Sequence, residues 1–502
     1  MGSIVTRQST QRAIPFHQDR DIRDRSMNCI SKANAKLPSA TVLTCAVGVV
    51  LAMASSIAHA EMFCVDATAG LQIALDDALS NAEPDEIRIQ AGDYILSAGL
   101  VYNTQVPGAD QHALTISGGY DADCVQRIGV SKLNGNTQVQ VIKLVLGAPV
   151  FMDHVTIAGG RVENTPGDSG RGGGVFAQLQ GSSAELHLDA VRLISNVASG
   201  FGGGIAVISN VGGGSHFSLR NSLLAGNVAQ GAGGAAIGVV SKGMVDISNN
   251  TITANVSDNA SAVHLQANDA SAQFRVDNNI VWGNGASPSY DLQLVAPPAG
   301  GDPYHLVAND IGSTQGMPGD DSDLNVSIDP LFVACAFCSN YPLSAASPLI
   351  DAGVGDPAGG LAQTDLLGAA RVMGASVDMG AYEFVQPNIA PTVAEDQAFV
   401  VDESAAQGAI VGTVTATDDY LPQPHAITYA IVDGNTGDAF AIDADSGVLT
   451  VANPDALDST AMPAYALAIK VTDGELDGVG VVNVTVSGPG ESDVIFQDGF
   501  DG

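Results

Sequence analysis

Side chains able to do acid–base chemistry recur at near-constant spacing between residues 151 and 277. Asp153, Asp189, Arg220, Ser248 and Asp277 fall in one column of a repeat, and Phe151, His187, Ser218, Asp246 and Arg275 in the next. If each copy is one coil of stacked strands, residues one coil apart stand ~4.8 Å apart and two coils ~10 Å. A carboxylate pair cleaving a glycosidic bond needs ~5 Å for retention or ~6.5–9.5 Å for inversion. Asp246 and Asp277, one coil apart in adjacent columns, can approach such distances. The same columns set Arg220 beside Asp189 and Arg275 beside Asp246. Opposite charges then alternate up the face as cross-strand pairs do, which favours a charge-balanced surface over a catalytic dyad. His154, His187, His216 and His264 are scattered, and no His pair has metal-ligand spacing.

The elements that position these columns are short strands. Residues 186–196 read LHLDAVRLISN, 217–227 FSLRNSLLAGN, 245–255 VDISNNTITAN and 274–284 FRVDNNIVWGN, with a weaker copy at 150–160. The terminal residues Asn196, Asn227, Asn255 and Asn284 give periods of 31, 28 and 29. Repeats of this length signify stacked units, none of which can bury its apolar face alone. Within each copy Leu188, Leu219, Ile247 and Val276 alternate with polar neighbours, the period-2 pattern of half-buried strands. Asn221, Asn249 and Asn278 share the bend column, where Asn tolerates left-handed backbone; stacked, they are expected to ladder from coil to coil. Gly172–Gly174, Gly202–Gly204 and Gly233–Gly234 precede a third strand and let the chain turn a corner. The expected fold is all-β: a right-handed parallel β-helix over residues 61–385, followed by a second β domain. A helix over residues 70–80 is expected to cap its open end.

The Gly-Gly-x-apolar and apolar-x-x-Asn motifs resemble those of polymorphic outer-membrane-protein-like and anchor-bearing β-helix proteins of bacterial surfaces. The resemblance covers residues ~61–385 and extends to Asp329-Pro-Leu-Phe, Ser347-Pro-Leu-Ile-Asp-Ala-Gly and Asp378-Met-Gly-Ala-Tyr-Glu, which are similar to the closing segment of "choice-of-anchor" proteins. Asp351, Asp378 and Glu383 are expected to hydrogen-bond turns and cap the stack. Parallel β-helices also host pectate lyases and polygalacturonases, but neither paired Asp residues nor Arg-x-x-Arg falls within the repeat at 150–284.

Charge and cysteine usage set the compartment. The chain has 502 residues with 19 Lys+Arg against 54 Asp+Glu; from residue 61 onward, 12 bases face 51 acids. Such a body repels nucleic acid and anionic lipid and attracts divalent cations. Residues 1–60 read as a signal peptide with a long n-region: an apolar run at 42–54 precedes Ala58-His59-Ala60, with cleavage expected after Ala60. Met27 is a second possible start, and an uncleaved anchor is the competing reading. Cys64, Cys124, Cys335 and Cys338 remain in an exported chain and are expected to form disulfides, Cys64–Cys124 and a local Cys335–Cys338. The expected location is secreted or cell-surface, associated with the outer membrane only through export.

After a linker at 386–391, seven alternating runs between 392 and 487 argue a Greek-key sandwich. Val401-Asp402-Glu403, Val411-Gly-Thr-Val-Thr-Ala-Thr-Asp418, Phe440-Ala-Ile-Asp443, Leu457-Asp458 and Val471-Thr-Asp473-Gly474 resemble a cadherin repeat. The resemblance implies Ca²⁺ ligation at one domain end by Glu403, Asp458 and Asp473, with Asp418 in the other group of sites. Carboxylate oxygens suit this hard cation. Thr460 stands where a further acid belongs, and the inter-domain signature is reduced to Asn388-Ile-Ala-Pro391. Residues 488–502 are a spacer and tail, similar to a short terminal tag of exported proteins. The chain reads as an adhesion or interaction protein: a β-helix stalk with a calcium-binding module whose partner is a cell-surface glycan or protein, or a second copy. The alternative is an extracellular polysaccharide lyase or glycoside hydrolase acting on the β-helix face.

Overall fold

In the computed structural model the described residues are 6–8 and 61–488, except 166–167, 212, 232, 259–260, 286–289, 299, 317–323, 334–339 and 419–425. The signal segment apart from 6–8, the Cys335–Cys338 pair and the tail beyond 488 lie outside them.

The repeat folds as its columns require. Three long sheets run the length of the stack, and consecutive coils pair in parallel from Glu61–Val65 onward. The first sheet passes through Val150–Asp153, Glu185–Asp189, His216–Arg220, Met244–Ser248 and Gln273–Asp277. At its outer end Thr6–Gln8 pairs antiparallel with Met62–Cys64. Leu188 is in register with Leu219, Leu219 with Ile247 and Ile247 with Val276. All four are buried in one continuous apolar core. The third sheet begins after the glycine corners, with Val175, Ile205, Ile237 and Val263 in register. Gly202 holds φ 74°, and a Cβ on Gly203 would meet Val228 O at 2.4 Å, so neither position accepts a side chain.

Thr68–Ala78 forms the expected cap helix and buries Leu71, Ala74, Leu75 and Ala78. Cys64 and Cys124 are disulfide-bonded across 60 residues. By loop-closure entropy, a cross-link of this span stabilises by about 4 kcal/mol.

The asparagines divide their work differently from expectation. Asn221, Asn249 and Asn278 do adopt left-handed backbone, with φ 53°, 52° and 59°. They do not ladder. The ladders form in two other columns. One links Asn196, Asn227, Asn255 and Asn284 by amide–amide bonds of 2.9–3.0 Å. The other links Asn250, Asn279, Asn309 and Asn325 at 2.8–2.9 Å. Each Nδ2 also donates to a backbone carbonyl, as Asn255 does to Leu224 O at 2.9 Å. The corner asparagines instead face a segment that returns over them. Asn221 donates to Thr364 O at 2.9 Å, Asn249 to Asp378 O at 3.5 Å and Asn278 to Val354 O at 2.9 Å.

That returning strap, residues 341–384, lies along the side of the stack and not over its end. It touches four successive coils: Asp277 Oδ2 accepts from Ala358 N, Thr251 Oγ1 from Ala381 N, and Arg220 and Arg192 donate to Gly359 O and Leu366 O. Asp351, Asp378 and Glu383 do bond turns, as expected. Asp378 accepts from Asp351 N and Phe384 N, Glu383 from Asp378 N and Asp351 from Ser376 N. Arg371, 2% exposed, donates to Gly380 O and lies 3.4 Å from Glu383. Burial pushes Glu383 up to about 8 against the pull of Arg371.

Residues 392–487 form the sandwich. Ala398–Asp402, Asp477–Ser487, Ala464–Thr472 and Thr428–Asp433 make a four-stranded sheet in that order; Ile410–Thr413, Val448–Val451 and Phe440–Ile442 make a three-stranded one. The core between them holds Val414, Leu449, Tyr465, Leu467, Ile469, Val482 and Val484. Among the described residues no helix is long and apolar enough to cross a membrane.

Candidate functional site

Two places concentrate the chemistry. The first is a groove of about 490 Å³ on the outward face of the first sheet. The strand pleat aims the outward columns into it: Asp153 is in register with Asp189 and Arg220, and Phe151 with His187 and Ser218. Phe151 and His187 stack at 4.8 Å with 9° between ring planes, and His216 meets His187 edge-on at 4.9 Å. Two further parts come from outside the repeat. Arg127, on a loop beside Cys124, pairs with Asp153, and Ala358–Gly359 of the strap close the far end. Nothing in the local pattern marks either. The only hint was that a left-handed, Asn-rich corner needs something to bond.

The charges of this face are paired. Arg220 donates to Asp189 at 2.7 Å. Arg275 grips both oxygens of Asp246 at 2.7 Å, and His216 Nε2 lies 2.9 Å from Asp246 Oδ2. Burial would raise the Asp246 pKa, but the hydrogen bonds from His216 and Arg275 outweigh it and hold the carboxylate below its usual range. Asp277 is pushed the other way by burial, though Ala358 N donates to it at 2.7 Å. Asp246 is 2% and Asp277 5% exposed. Asp246 is therefore ion-paired, as alternating charge implied, whereas Asp277 is held by a backbone N–H of the strap.

The second place is the pair of ends of the sandwich. Glu403 Oε2 accepts from Ser459 N at 3.0 Å, which brings Glu403 beside Asp458. The Asp458 carboxylate is held low by N–H groups of Ala461 and Thr460 at 2.8 and 2.9 Å. Glu403 N bonds Ser487 O, the last residue of Asp477–Ser487. Asp473 sits at the other end of that strand, in the hairpin between Ala464–Thr472 and Asp477–Ser487, where its Oδ1 accepts from Glu475 N and Leu476 N at 2.7 Å. Asp418 follows Thr417, which pairs with Thr392; Pro391, just before it, abuts Gly478. So Asp418 and Asp473 share the linker end, while Glu403 and Asp458 share the opposite end. The grouping expected from the resemblance, with Asp473 beside Glu403 and Asp458, is corrected: eleven residues of extended strand, roughly 35 Å, lie between them. Among the described residues no group of three or more His, Cys, Asp or Glu side chains is arranged to hold a metal ion. Each end supplies two carboxylates of the hard-oxygen kind, so carbonyls and water would complete any Ca²⁺ shell.

Comparison with known proteins bears on this second place. Residues 397–487 match the cadherin domain family. Mouse protocadherin Fat 2 is 44% identical over 71 residues, covering 14% of this chain and 2% of that protein. Human cadherin-related family member 2 is 37% identical over 75 residues, covering 15% and 6%. The chain thus spans only a small fraction of the curated relatives it matches. Of solved structures, the human desmocollin-1 ectodomain is 29% identical, with a TM-score of 0.19, covering 20% of each chain. Human protocadherin-24 EC1-2 is 22% identical, with a TM-score of 0.18, covering 20% of this chain and 44% of that one. Residues 397–487 are a cadherin domain, carried in one chain with a long stack of parallel β coils.

Proposed function

We propose that this protein is an adhesion or interaction protein displayed outside the cell, with the stack of coils as stalk and display surface and the cadherin domain as a calcium-stabilised module. The observation that carries this reading is the placement of Glu403 with Asp458 at one end of a cadherin domain and Asp418 with Asp473 at the other. Between residues 392 and 487 there are fifteen acids and one Lys, which is paired with Asp477, so a divalent cation would relieve repulsion among the rest. Bound Ca²⁺ would supply charge neutralisation and cross-linking of loops; Glu403, Asp418, Asp458 and Asp473 would hold it.

Export by the segment before Glu61, residence at the cell surface and the division into leader, stack, linker, sandwich and tail belong to the same proposal. Cell-adhesion relatives of the cadherin domain favour a protein partner or a second copy. The groove on the stack supports a second partner class, a surface glycan, because pre-paired Arg and Asp present fixed donors and acceptors to hydroxyls. The same pairing argues for binding over turnover by a lyase or hydrolase.

The test is melting of the full chain with millimolar Ca²⁺ and with chelator. A rise of several degrees that shrinks in Glu403→Ala and Asp473→Ala supports the reading. No shift at any Ca²⁺ concentration rejects it. Sugar release from a polysaccharide panel, abolished by Asp246→Ala, would replace the adhesive reading with the enzymatic one.

A further inference from the structure

One histidine of the groove bridges a hydroxyl and a carboxylate. Glu185 and His187 are two residues apart on the strand Glu185–Asp189, so both side chains point outward. Ser218 stands opposite His187 in the next coil. His187 Nε2 lies 2.9 Å from Glu185 Oε2, and its Nδ1 lies 2.7 Å from Ser218 Oγ. An ionised carboxylate only accepts, so in the neutral ring Nε2 carries the hydrogen and Nδ1 presents its lone pair to the Ser218 hydroxyl, which donates. A base oriented by a carboxylate and facing a hydroxyl is the arrangement that activates a serine, on whatever fold it occurs. The ring is fixed from two further sides: Phe151 stacks on it and His216 meets it edge-on. His216 itself is committed to Asp246. Two residues beyond Ser218 on the same strand, Arg220 projects to the same face, about 7 Å along. Its guanidinium, held by Asp189 and Gly359 O, brings a fixed positive charge beside the hydroxyl. Ser218 is 9% exposed and lines the groove.

We propose that Ser218, His187 and Glu185 form an active site that hydrolyses carboxylic esters of short acyl groups. Ser218 Oγ attacks the ester carbonyl as its proton passes to His187 Nδ1. The Oγ–C bond forms, the carbonyl electrons move to oxygen, and the charge of Arg220 stabilises that oxyanion. Its collapse breaks the bond to the alcohol oxygen, which takes the proton from Nδ1 and leaves as the free alcohol. Water then attacks the acyl group on Ser218, gives a proton to Nδ1 and releases the carboxylic acid, and Ser218 regains its proton. The balance needs only the ester and water. Glu185 is a positioning residue: it touches no reacting atom, holds the tautomer and stabilises the imidazolium. The nucleophile is recessed between Phe151 and Ala358–Gly359 of the strap, which suits an acetyl-sized group and leaves the alcohol half in the open part of the groove. Glycosidic cleavage needs a pair of carboxylates; this reaction needs one hydroxyl, one imidazole and one carboxylate, and the three are hydrogen-bonded in series. It depends neither on the four carboxylates assigned to calcium nor on the identity of an adhesive partner.

The full chain is assayed with p-nitrophenyl acetate and, separately, treated with a fluorophosphonate that labels activated serines, the label being placed by mass spectrometry. The expected result is turnover well above that of free imidazole at matched histidine concentration, and label on Ser218. Ser218→Ala should lower kcat/KM about hundredfold and abolish the label. Glu185→Gln should lower kcat about tenfold with KM unchanged, and Glu185→Asp should recover part of it, a split that a purely structural role of Glu185 would not produce. His264→Gln, on the third sheet and paired with Gln293, should turn over ester as the unmodified chain does. Labelling of the unmodified chain is decisive even where Ser218→Ala fails to fold. Turnover no faster than imidazole, turnover that survives Ser218→Ala, or label placed on other residues instead of Ser218 overturns the assignment.

Discussion

The stack and the sandwich carry acid in opposite ways. Residues 61–385 hold 32 acids and 11 Lys or Arg; residues 392–487 hold 15 and one. In the stack, the acids of the first sheet find partners inside the fold: Asp153 with Arg127, Asp189 with Arg220, Asp246 with Arg275 and His216. Parallel coils make this economical, because each outward residue has a fixed neighbour one coil away. The sandwich has no such supply of cations, and Glu403 with Asp458 and Asp418 with Asp473 lie at the two ends of one long strand. The stack pairs the acids of its first sheet internally, although its acids outnumber its bases by 32 to 11; the sandwich has a single Lys for fifteen acids. On the proposed reading, that difference makes the sandwich, and not the stack, the region that responds to a divalent cation.

The comparison can be broken most forcefully in the core. Leu219→Ala empties a site between Leu188 and Ile247, and an underpacked core position costs about 2–5 kcal/mol. Calorimetry should show the transition of the stack falling and that of the sandwich unmoved; a joint fall would mean that the two unfold as one unit. Next in size is Asn255→Ala, which removes the acceptor of Asn227 N and Nδ2 and the donor to Leu224 O. Orphaned buried polar groups cost about 1–3 kcal/mol each, so chemical denaturation should register a loss of that order, again confined to the stack.

Calcium sharpens the contrast from the other side. Chelator should lower the melting of the sandwich by several degrees and leave the stack transition in place. A chelator effect on the stack alone would invert the assignment. The smallest expected effect is on pH. Asp310 is fully buried, and burial, with Asp291 and Asp329 nearby, raises its pKa from 3.8 to about 7. The folded state then binds a proton that the unfolded state has released, so stability falls as pH climbs through that window. Glu383 extends the same trend to about 8. The stack should melt higher at pH 5 than at pH 8, and Asp310→Asn should flatten the slope. A steeper slope in that variant would show that Asp310 is ionised in the native stack.

Much of the stack was legible because its information is local and repeated. Side-chain direction alternates with period two and recurs each coil, so Leu188, Leu219, Ile247 and Val276 announce their own stacking. The glycine corners and the left-handed Asn column are equally local, since backbone sterics are decided within a few residues. The cadherin domain was legible through its turn motifs. The ladder columns were misplaced by a small step. The Asn at the bend and the Asn one residue later look alike in sequence, yet only the latter points into the corner, while the former meets the strap.

The sequence by itself determined the register of the coils, the inward columns and the presence of four carboxylates in a cadherin frame. Tertiary structure alone decided that residues 341–384 run back along four coils, that Ala358–Gly359 close the groove 81 residues after Asp277, and that Asp473 belongs with Asp418. Periodicity reports which way a side chain faces over a few residues. It carries no record of which distant segment later arrives to cover it, because that choice is made by shape and unpaired polar groups brought together only when the chain has folded.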